Sequence, residues 1–144
     1  VVGAEPTPRK SGTIEFLPWS EESEISLING MDIGLMPLPD TPFNRGKCGY
    51  KLIQYMACGL PVIASPVGVN REIVEPGVNG FLAETEDEWR NALTTLARDP
   101  ELRQRMGEAG RLKVEKTFSL QVQGPRMAKI LRSVAKGREL GLNN

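Results

Sequence analysis

Residues 44–70, NRGKCGYKLIQYMACGLPVIASPVGVN, decide the fold because loop, helix and strand patterns follow one another there without a break. The pattern predicts a glycine-bearing loop (Asn44–Gly49), a helix (Tyr50–Cys58), a turn (Gly59–Pro61), a buried strand (Val62–Ala64) and a second loop (Ser65–Asn70). A short apolar run bounded by turn residues is typical of a buried strand. The stretch therefore indicates an α/β fold.

The first loop has the composition of an anion-binding site. Arg45 and Lys47 stand beside two glycines, Gly46 and Gly49, which allow backbone N–H groups to approach a ligand closely. A helix that begins at Gly49 or Tyr50 directs its unpaired N–H groups and the positive end of its dipole at this loop. We expect a phosphate to be bound there by amides, dipole and two cations. Such a loop is also compatible with an ordinary helix start.

Composition limits the classes of function. The chain has 144 residues, 40% of them apolar, which suits one globular domain. Lys and Arg together number 18, as do Asp and Glu, so no basic field favours a nucleic-acid partner. The absence of histidine removes the commonest general base and metal ligand, and no metal site is expected.

The cysteines and the hydropathy pattern indicate a soluble protein. Cys48 and Cys58 lie at opposite ends of the predicted helix, too far apart for a disulfide, and are expected to be reduced thiols. Cys48 is not expected to be a nucleophile, because no histidine can activate it. No run approaches the roughly 18 apolar residues of a membrane span. We expect a cytoplasmic protein, and peripheral membrane attachment of a full-length protein stays open.

Strand and helix patterns alternate in the rest of the chain. Strands are expected at Val1–Ala4, Thr13–Leu17, Asp32–Leu38 and Phe81–Ala83. Helices are expected after the N-cap Ser20, at Arg71–Val74, at Glu86–Arg98, at Glu101–Thr117, and from Ser119 to about Ala135. Thr85 and Glu88 form a capping-box pattern, and Gly124–Pro125 weakens the last helix. We expect one domain over residues 1–136 and a frayed tail over residues 137–144.

Alternating strands and helices predict a Rossmann-like parallel sheet with helices on both faces. In such sheets ligands bind beyond the carboxyl ends of the strands. The loops expected at that edge are Pro18–Trp19, Pro39–Gly49 and Ser65–Asn70.

A family resemblance rests on the run YKLIQYMACGLPVIASPVGVNREIVEPGVNGFL at residues 50–82, followed by a helix, DPELRQRMGEAGR and a Phe–Ser before the last helix. This pattern resembles the C-terminal domain of glycosyltransferase family 4, whose GT-B fold has two Rossmann domains. The resemblance implies that the domain binds a nucleotide-diphosphate sugar, such as a UDP- or GDP-sugar. It also implies a retaining transfer of a hexose to an acceptor held by an N-terminal domain, without a metal or other cofactor. Carbohydrate biosynthesis is the expected role.

The resemblance also implies site residues. It places the diphosphate on Gly46, Lys47, Cys48, Gly49, Tyr50 and Lys51, the ribose on Gln54, and the base against Leu17, Pro18 and Trp19. The motif of the family has two glutamates eight residues apart, and these positions are Gly46 and Gln54 here. Because Gly46 has no side chain, no catalytic residue is assigned. The chain is similar to a branch of the family with Lys51, Gln54 and Tyr55, in which Lys51 and Gln54 share a helix face and both are expected to face the cleft.

Each assignment has a structural alternative. Lys51 and Gln54 are compatible with a solvated helix surface, Trp19 with packing at the sheet edge, and Arg45 with loop solvation. Glu72 occupies the position of a glutamate common in the family, and we expect it to hold the second loop in place.

The chain is short for this family. The resemblance implies that an acceptor-binding half is expected outside these 144 residues, and that the strand that is central in a 3-2-1-4-5-6 sheet precedes Val1 in the family pattern. We expect either a longer native chain or a homodimer that fills the gap, and no sugar transfer by these residues alone. A non-catalytic Rossmann-like module with a decayed donor site, used for assembly or regulation, is the alternative. Half of a dehydrogenase is a weaker third reading, because the strand-linked G-x-G-x-x-G is missing.

Overall fold

The computed structural model describes residues 15, 17, 18 and 20–135. The chain divides into two compact units, residues 1–32 and 33–144. Helix α1 (Glu21–Asn29) belongs to the first unit, and the side chain of Ser20 caps it by accepting a hydrogen bond from the N–H of Ser23 at 3.2 Å. This confirms the predicted N-cap.

Several expectations lie outside the described residues: the strand at Val1–Ala4, most of the strand at Thr13–Leu17, Trp19 and the tail at residues 137–144. The expectation of one domain over residues 1–136 stays a prediction.

The second unit is built around a parallel sheet. Its elements in chain order are β1 (Gly34–Met36), α2 (Pro42–Arg45), α3 (Tyr50–Ala57), β2 (Val62–Ala64), α4 (Asn70–Ile73), β3 (Gly80–Leu82), α5 (Glu86–Arg98), α6 (Pro100–Thr117) and α7 (Leu120–Ala135). The strands lie in the order β1-β2-β3, and Val62 is aligned with Gly34 on one side and with Gly80 on the other. The predicted parallel sheet is confirmed.

The core lies on both faces of this sheet. Successive residues of a strand point to opposite faces, and the buried residues of β2 join two different clusters accordingly. One cluster contains Leu52, Met56, Val62, Ala64, Ile73, Val74 and Val114, from α3, α4, α6 and β2. The other contains Ile63, Ala83, Ala92, Leu96 and Met106, mainly from α5 and α6. Helices therefore cover both faces, as predicted, and hold the strand ends in fixed positions.

The local sequence signals set most boundaries. The capping box of Thr85 and Glu88 is formed, and α5 spans the predicted residues. β1 is shorter than the predicted Asp32–Leu38, because β2, its partner in the sheet, is itself only three residues long.

Helix α2 was not predicted from the sequence and lies inside the expected loop from Pro39 to Gly49. The available signal was Thr41–Pro42: the side chain of Thr41 accepts a hydrogen bond from the N–H of Asn44 at 3.2 Å, and Pro42 is the first helical residue. The expected first loop therefore consists of the end of a short helix, α2, and a connection of four residues, 46–49, that leads into α3.

Candidate functional site

The connection between α2 and α3 lines an open cleft of about 640 Å³. The lining residues are Met36, Phe43, Gly46, Lys47, Cys48, Gly49, Tyr50 and Lys51. All six residues expected to bind the diphosphate are among them. Met36 is the last residue of β1, so the cleft lies at the carboxyl end of a parallel strand, where α/β folds bind ligands.

Gly49 fixes the start of α3 beside this cleft. It has the left-handed backbone conformation, with φ of 68°, and a Cβ at this position would come within 2.3 Å of the Cδ1 of Ile73 in α4. Only glycine combines this conformation with so close an approach. The first turn of α3 is therefore held against α4.

The backbone N–H groups that lead into this helix have no acceptor among the residues that the structure describes. Those of Cys48, Gly49 and Tyr50 donate no hydrogen bond to any atom of the described residues. An α-helix concentrates partial positive charge at such groups. The cleft therefore offers an anion several fixed donors.

Lys47 is one of the two lysines that line the cleft. Its ammonium lies 5.4 Å from the centre of the Phe43 ring, and Lys47 forms no ion pair with any residue that the structure describes. Lys51 is exposed and lines the same cleft.

Arg45, by contrast, has an intramolecular partner. Its Nε and Nη2 donate to the two carboxylate oxygens of Asp40 at 2.6 and 2.9 Å. This hydrogen-bonded pair lowers the pKa of the Asp40 carboxyl, and the charge of Arg71 lowers it further. Two nitrogens of the Arg45 guanidinium are therefore engaged by Asp40, and the expected contribution of Arg45 beside Lys47 to an anion site stays a prediction.

The second loop, Ser65–Asn70, supports the first. The Oγ of Ser65 accepts a hydrogen bond from the N–H of Leu38 at 2.9 Å, and the buried Nδ2 of Asn70 donates to the carbonyl of Ser65 at 3.0 Å. The first bond joins the ends of β1 and β2, and the second holds the two ends of the loop together. The loop is a scaffold for the cleft.

Gln54 differs from Lys51 in its environment. Its side chain is only 9% exposed, and its Nε2 donates to the Oη of Tyr50 at 3.3 Å. Gln54 does not line the cleft in the described part of the chain, whereas Lys51 does. The ribose contact of Gln54 stays a prediction, as do the base contacts of Leu17, Pro18 and Trp19.

Glu72 holds its surroundings through its backbone. Its carbonyl accepts a hydrogen bond from the Nζ of Lys113 at 2.8 Å, and the same ammonium pairs with the carboxylate of Glu75 at 2.6 Å. Lys113 lies on α6, far along the chain, and local sequence patterns gave no signal for this contact.

A smaller cavity was also missed. It has a volume of about 180 Å³ and is lined by Leu38, Pro39, Asp40, Ser65, Pro66, Val67, Arg71 and Glu84, which follow the three strands. Within the described residues, no three His, Cys, Asp or Glu side chains are close enough together to hold a metal ion.

No described helix is long and apolar enough to cross a membrane.

Comparison with known families gives a match over most of the chain. The family described as "Glycosyl transferases group 1" matches residues 11–113. The GDP-mannose-dependent monoacylated alpha-(1-6)-phosphatidylinositol monomannoside mannosyltransferase of Corynebacterium glutamicum is 38% identical over 87 residues, which are 59% of this chain and 23% of the relative. The chain thus spans about a quarter of the length of this curated relative.

Two solved structures share the fold. Sucrose-phosphate synthase from Thermosynechococcus elongatus matches with a TM-score of 0.75 and 25% identity, over 85% of this chain and 30% of that one. Anabaena Alr3699/HepE in complex with UDP-glucose matches with a TM-score of 0.66 and 25% identity, over 83% and 32% of the two chains.

Proposed function

Because this chain belongs to the group 1 glycosyl transferases, we propose that it supplies the nucleotide-sugar-binding part of a retaining hexosyltransferase of family 4. The observation that carries the proposal is the convergence of six consecutive residues, Gly46 to Lys51, on one cleft at the carboxyl end of β1. The named donor of the Corynebacterium relative is GDP-mannose, and the Anabaena structure contains UDP-glucose. A UDP- or GDP-sugar is the proposed donor.

The diphosphate is the part of the donor that the cleft suits best. The N–H groups of Cys48, Gly49 and Tyr50 are fixed by the left-handed turn at Gly49 and bind phosphate oxygens without rearrangement. Lys47 adds a full positive charge. The ligand is thereby held by donors whose positions the fold has already determined, which reduces the entropy lost on binding.

The same groups assist the chemical step. As the bond from the sugar to the diphosphate breaks, negative charge grows on the leaving phosphate. Preorganised N–H groups and a nearby ammonium stabilise that charge more than they stabilise the bound substrate, and this difference accelerates the reaction. These residues therefore act on the leaving group, and no residue of this chain is assigned to the acceptor.

Transfer also requires a second substrate. A retaining transferase positions donor and acceptor together, and this positioning supplies much of the rate enhancement. We propose that the acceptor is bound by a further part of a longer protein. The 144 residues alone are expected to bind nucleotide but to transfer no sugar.

One alternative has an observation in its favour. Gly46 and Gln54 stand where the family motif has glutamates, and Gln54 is buried with its amide on the Tyr50 hydroxyl. A non-catalytic module that has lost its donor site fits this observation. The two proposals differ in whether the cleft binds a nucleoside diphosphate.

Differential alkylation of the two cysteines tests the proposal. Cys48 is exposed in the cleft, whereas Cys58 follows the other end of α3 and is half-buried, so one chain contains both probe and control. We expect UDP or GDP to slow iodoacetamide labelling of Cys48 in a saturable manner and to leave Cys58 unchanged. Lys47→Ala should weaken the protection, and Lys116→Ala, an exposed lysine in the last turn of α6, should not. Labelling of Cys48 that no nucleoside diphosphate slows would favour the decayed module.

A further inference from the structure

Phe43 is a large aromatic residue in an unusual position. Its side chain is 79% exposed, although it belongs to the cleft wall. Exposure of this kind forfeits most of the free energy that burying an aromatic ring provides. A ring that does not contribute to the core can instead have a role at the cleft.

The local backbone holds this ring in place. Thr41 caps α2, and the Nδ2 of the buried Asn44 donates to the carbonyl of Pro39 at 2.9 Å. The chain then turns back, because the N–H groups of Gly46 and Lys47 donate to the carbonyls of Phe43 and Asn44 at 3.3 and 3.2 Å. This turn places Lys47 above the face of the ring.

The contact between the two side chains is of the cation–π type. The ammonium of Lys47 is 5.4 Å from the ring centre, within the distance of about 6 Å at which the ring quadrupole attracts a cation. Lys47 forms no ion pair with a described residue, so no carboxylate competes for its charge. The ring stabilises the ammonium without neutralising it.

We infer that Phe43 is a positioning residue for Lys47, which it holds at the cleft so that the ammonium binds the diphosphate of the nucleotide sugar. This inference rests on the proposed function. An unrestrained lysine loses rotamer entropy when it binds an anion. The ring removes part of that cost beforehand and shields one side of the ammonium from water. Phe43 therefore raises affinity without touching the ligand.

The first test examines the contact without nucleotide. In NMR spectra of the 144-residue chain, the Hε protons of Lys47 should be shifted upfield by the ring current of Phe43. Lys47→Gln identifies the resonance. The shift should disappear in Phe43→Leu and persist in Phe43→Tyr, which keeps an aromatic face. Its absence from the wild-type spectrum would overturn the inference.

The second test measures affinity for UDP and for inorganic pyrophosphate. Phe43→Leu should weaken binding about two- to five-fold, the range typical of an exposed cation–π contact, and Phe43→Tyr should restore it. Thermal unfolding should change only slightly, because the ring is outside the core and its contact with Lys47 is exposed. In a Lys47→Gln background, Phe43→Leu should not weaken binding further, because the ring acts on the ligand only by positioning Lys47.

The outcomes separate this inference from the proposed function. If Phe43→Leu lowers the affinity for UDP equally in the wild-type and Lys47→Gln backgrounds, the ring contacts the ligand itself. This result would overturn the positioning role alone. Failure of the wild-type chain to bind UDP, GDP or pyrophosphate would overturn the proposed function, and with it a role in binding, even where the ring-current shift is present.

Discussion

Gly68 lies directly against the backbone of Arg45: a Cβ at Gly68 would come within 2.6 Å of the carbonyl oxygen of Arg45. Gly68 also has the left-handed conformation, with φ of 54°. The second loop thus supports the last residue of α2, immediately before the residues that line the cleft.

Gly68→Ala should destabilise the protein by about 1–3 kcal/mol, because the backbone at Arg45 cannot give way as a flexible side chain can. Gly77→Ala is the matched control: φ is 80° there, but nothing lies within 4 Å of the added Cβ. It should cost only the conformational penalty, about 1 kcal/mol. Urea unfolding measures the loss of stability in each of the two variants. Equal losses of stability would contradict the contact between Gly68 and Arg45.

Arg45→Gln and Lys47→Gln should affect nucleotide binding differently. Arg45 is paired with Asp40, whereas Lys47 faces the cleft without an ion pair among the described residues. Loss of the charge of Lys47 should weaken UDP binding by about 1–2 kcal/mol, in the range of a charge-assisted hydrogen bond, and loss of Arg45 by much less. Calorimetric titration compares the variants. A larger effect of Arg45→Gln would show that the guanidinium leaves Asp40 for the ligand.

The Asp40 carboxyl should titrate below its ordinary pKa of 3.8, chiefly because Arg45 donates hydrogen bonds to it. The folded-state pKa is lower than that of the unfolded chain. The contribution of the pair to stability is therefore present above the unfolded pKa and is lost as pH falls through the folded pKa. An NMR titration of the Asp40 carboxyl carbon measures this value. Arg45→Gln should raise it towards 3.8, and Arg71→Gln should raise it less.

Lys113→Met should destabilise the fold by about 1–2 kcal/mol, since its ammonium binds the carbonyl of Glu72 and the carboxylate of Glu75. The Lys113 side chain is 19% exposed, so these bonds are partly shielded from water. Lys116→Met removes an exposed lysine of the same helix and should have little effect. Chemical denaturation measures the free energy of unfolding of the two variants. Equal values would show that the Lys113 contacts do not contribute to stability.

The Cys58 thiol should become reactive only at higher pH than an ordinary cysteine, because burial raises its pKa, although the charge of Arg111 opposes the shift. The rate of iodoacetamide labelling follows the thiolate fraction. Arg111→Gln should move the rate profile of Cys58 to still higher pH. A profile that stays in place would show that Arg111 does not influence the thiol.

Prediction from sequence succeeded where a signal is local. Three features were predicted from only a few neighbouring residues each: the capping box at Thr85, the N-cap at Ser20 and the strand Val62–Ala64. The short helix α2 has the same kind of signal in Thr41–Pro42, but its four residues are too few to show apolar periodicity.

The candidate site was predicted in part. Glycines, lysines and a helix start within residues 46–51 indicated an anion-binding cleft, and all six residues line one cavity. The pairing of Arg45 with Asp40 and the burial of Gln54 were not foreseen, because a side chain's partner depends on where the backbone turns.

The sequence by itself determined the alternation of strands and helices, the glycosyl transferase family and the loop residues that line the cleft, because hydrophobic periodicity, caps and glycines act over a few residues. Only the tertiary structure decided which partner each of the two loop cations has. Arg45 and Lys47 are equivalent as letters two positions apart, yet one guanidinium meets Asp40 and one ammonium meets the ring of Phe43. Electrostatic and packing partners are set by distances in space, and the turn after α2 fixes those distances.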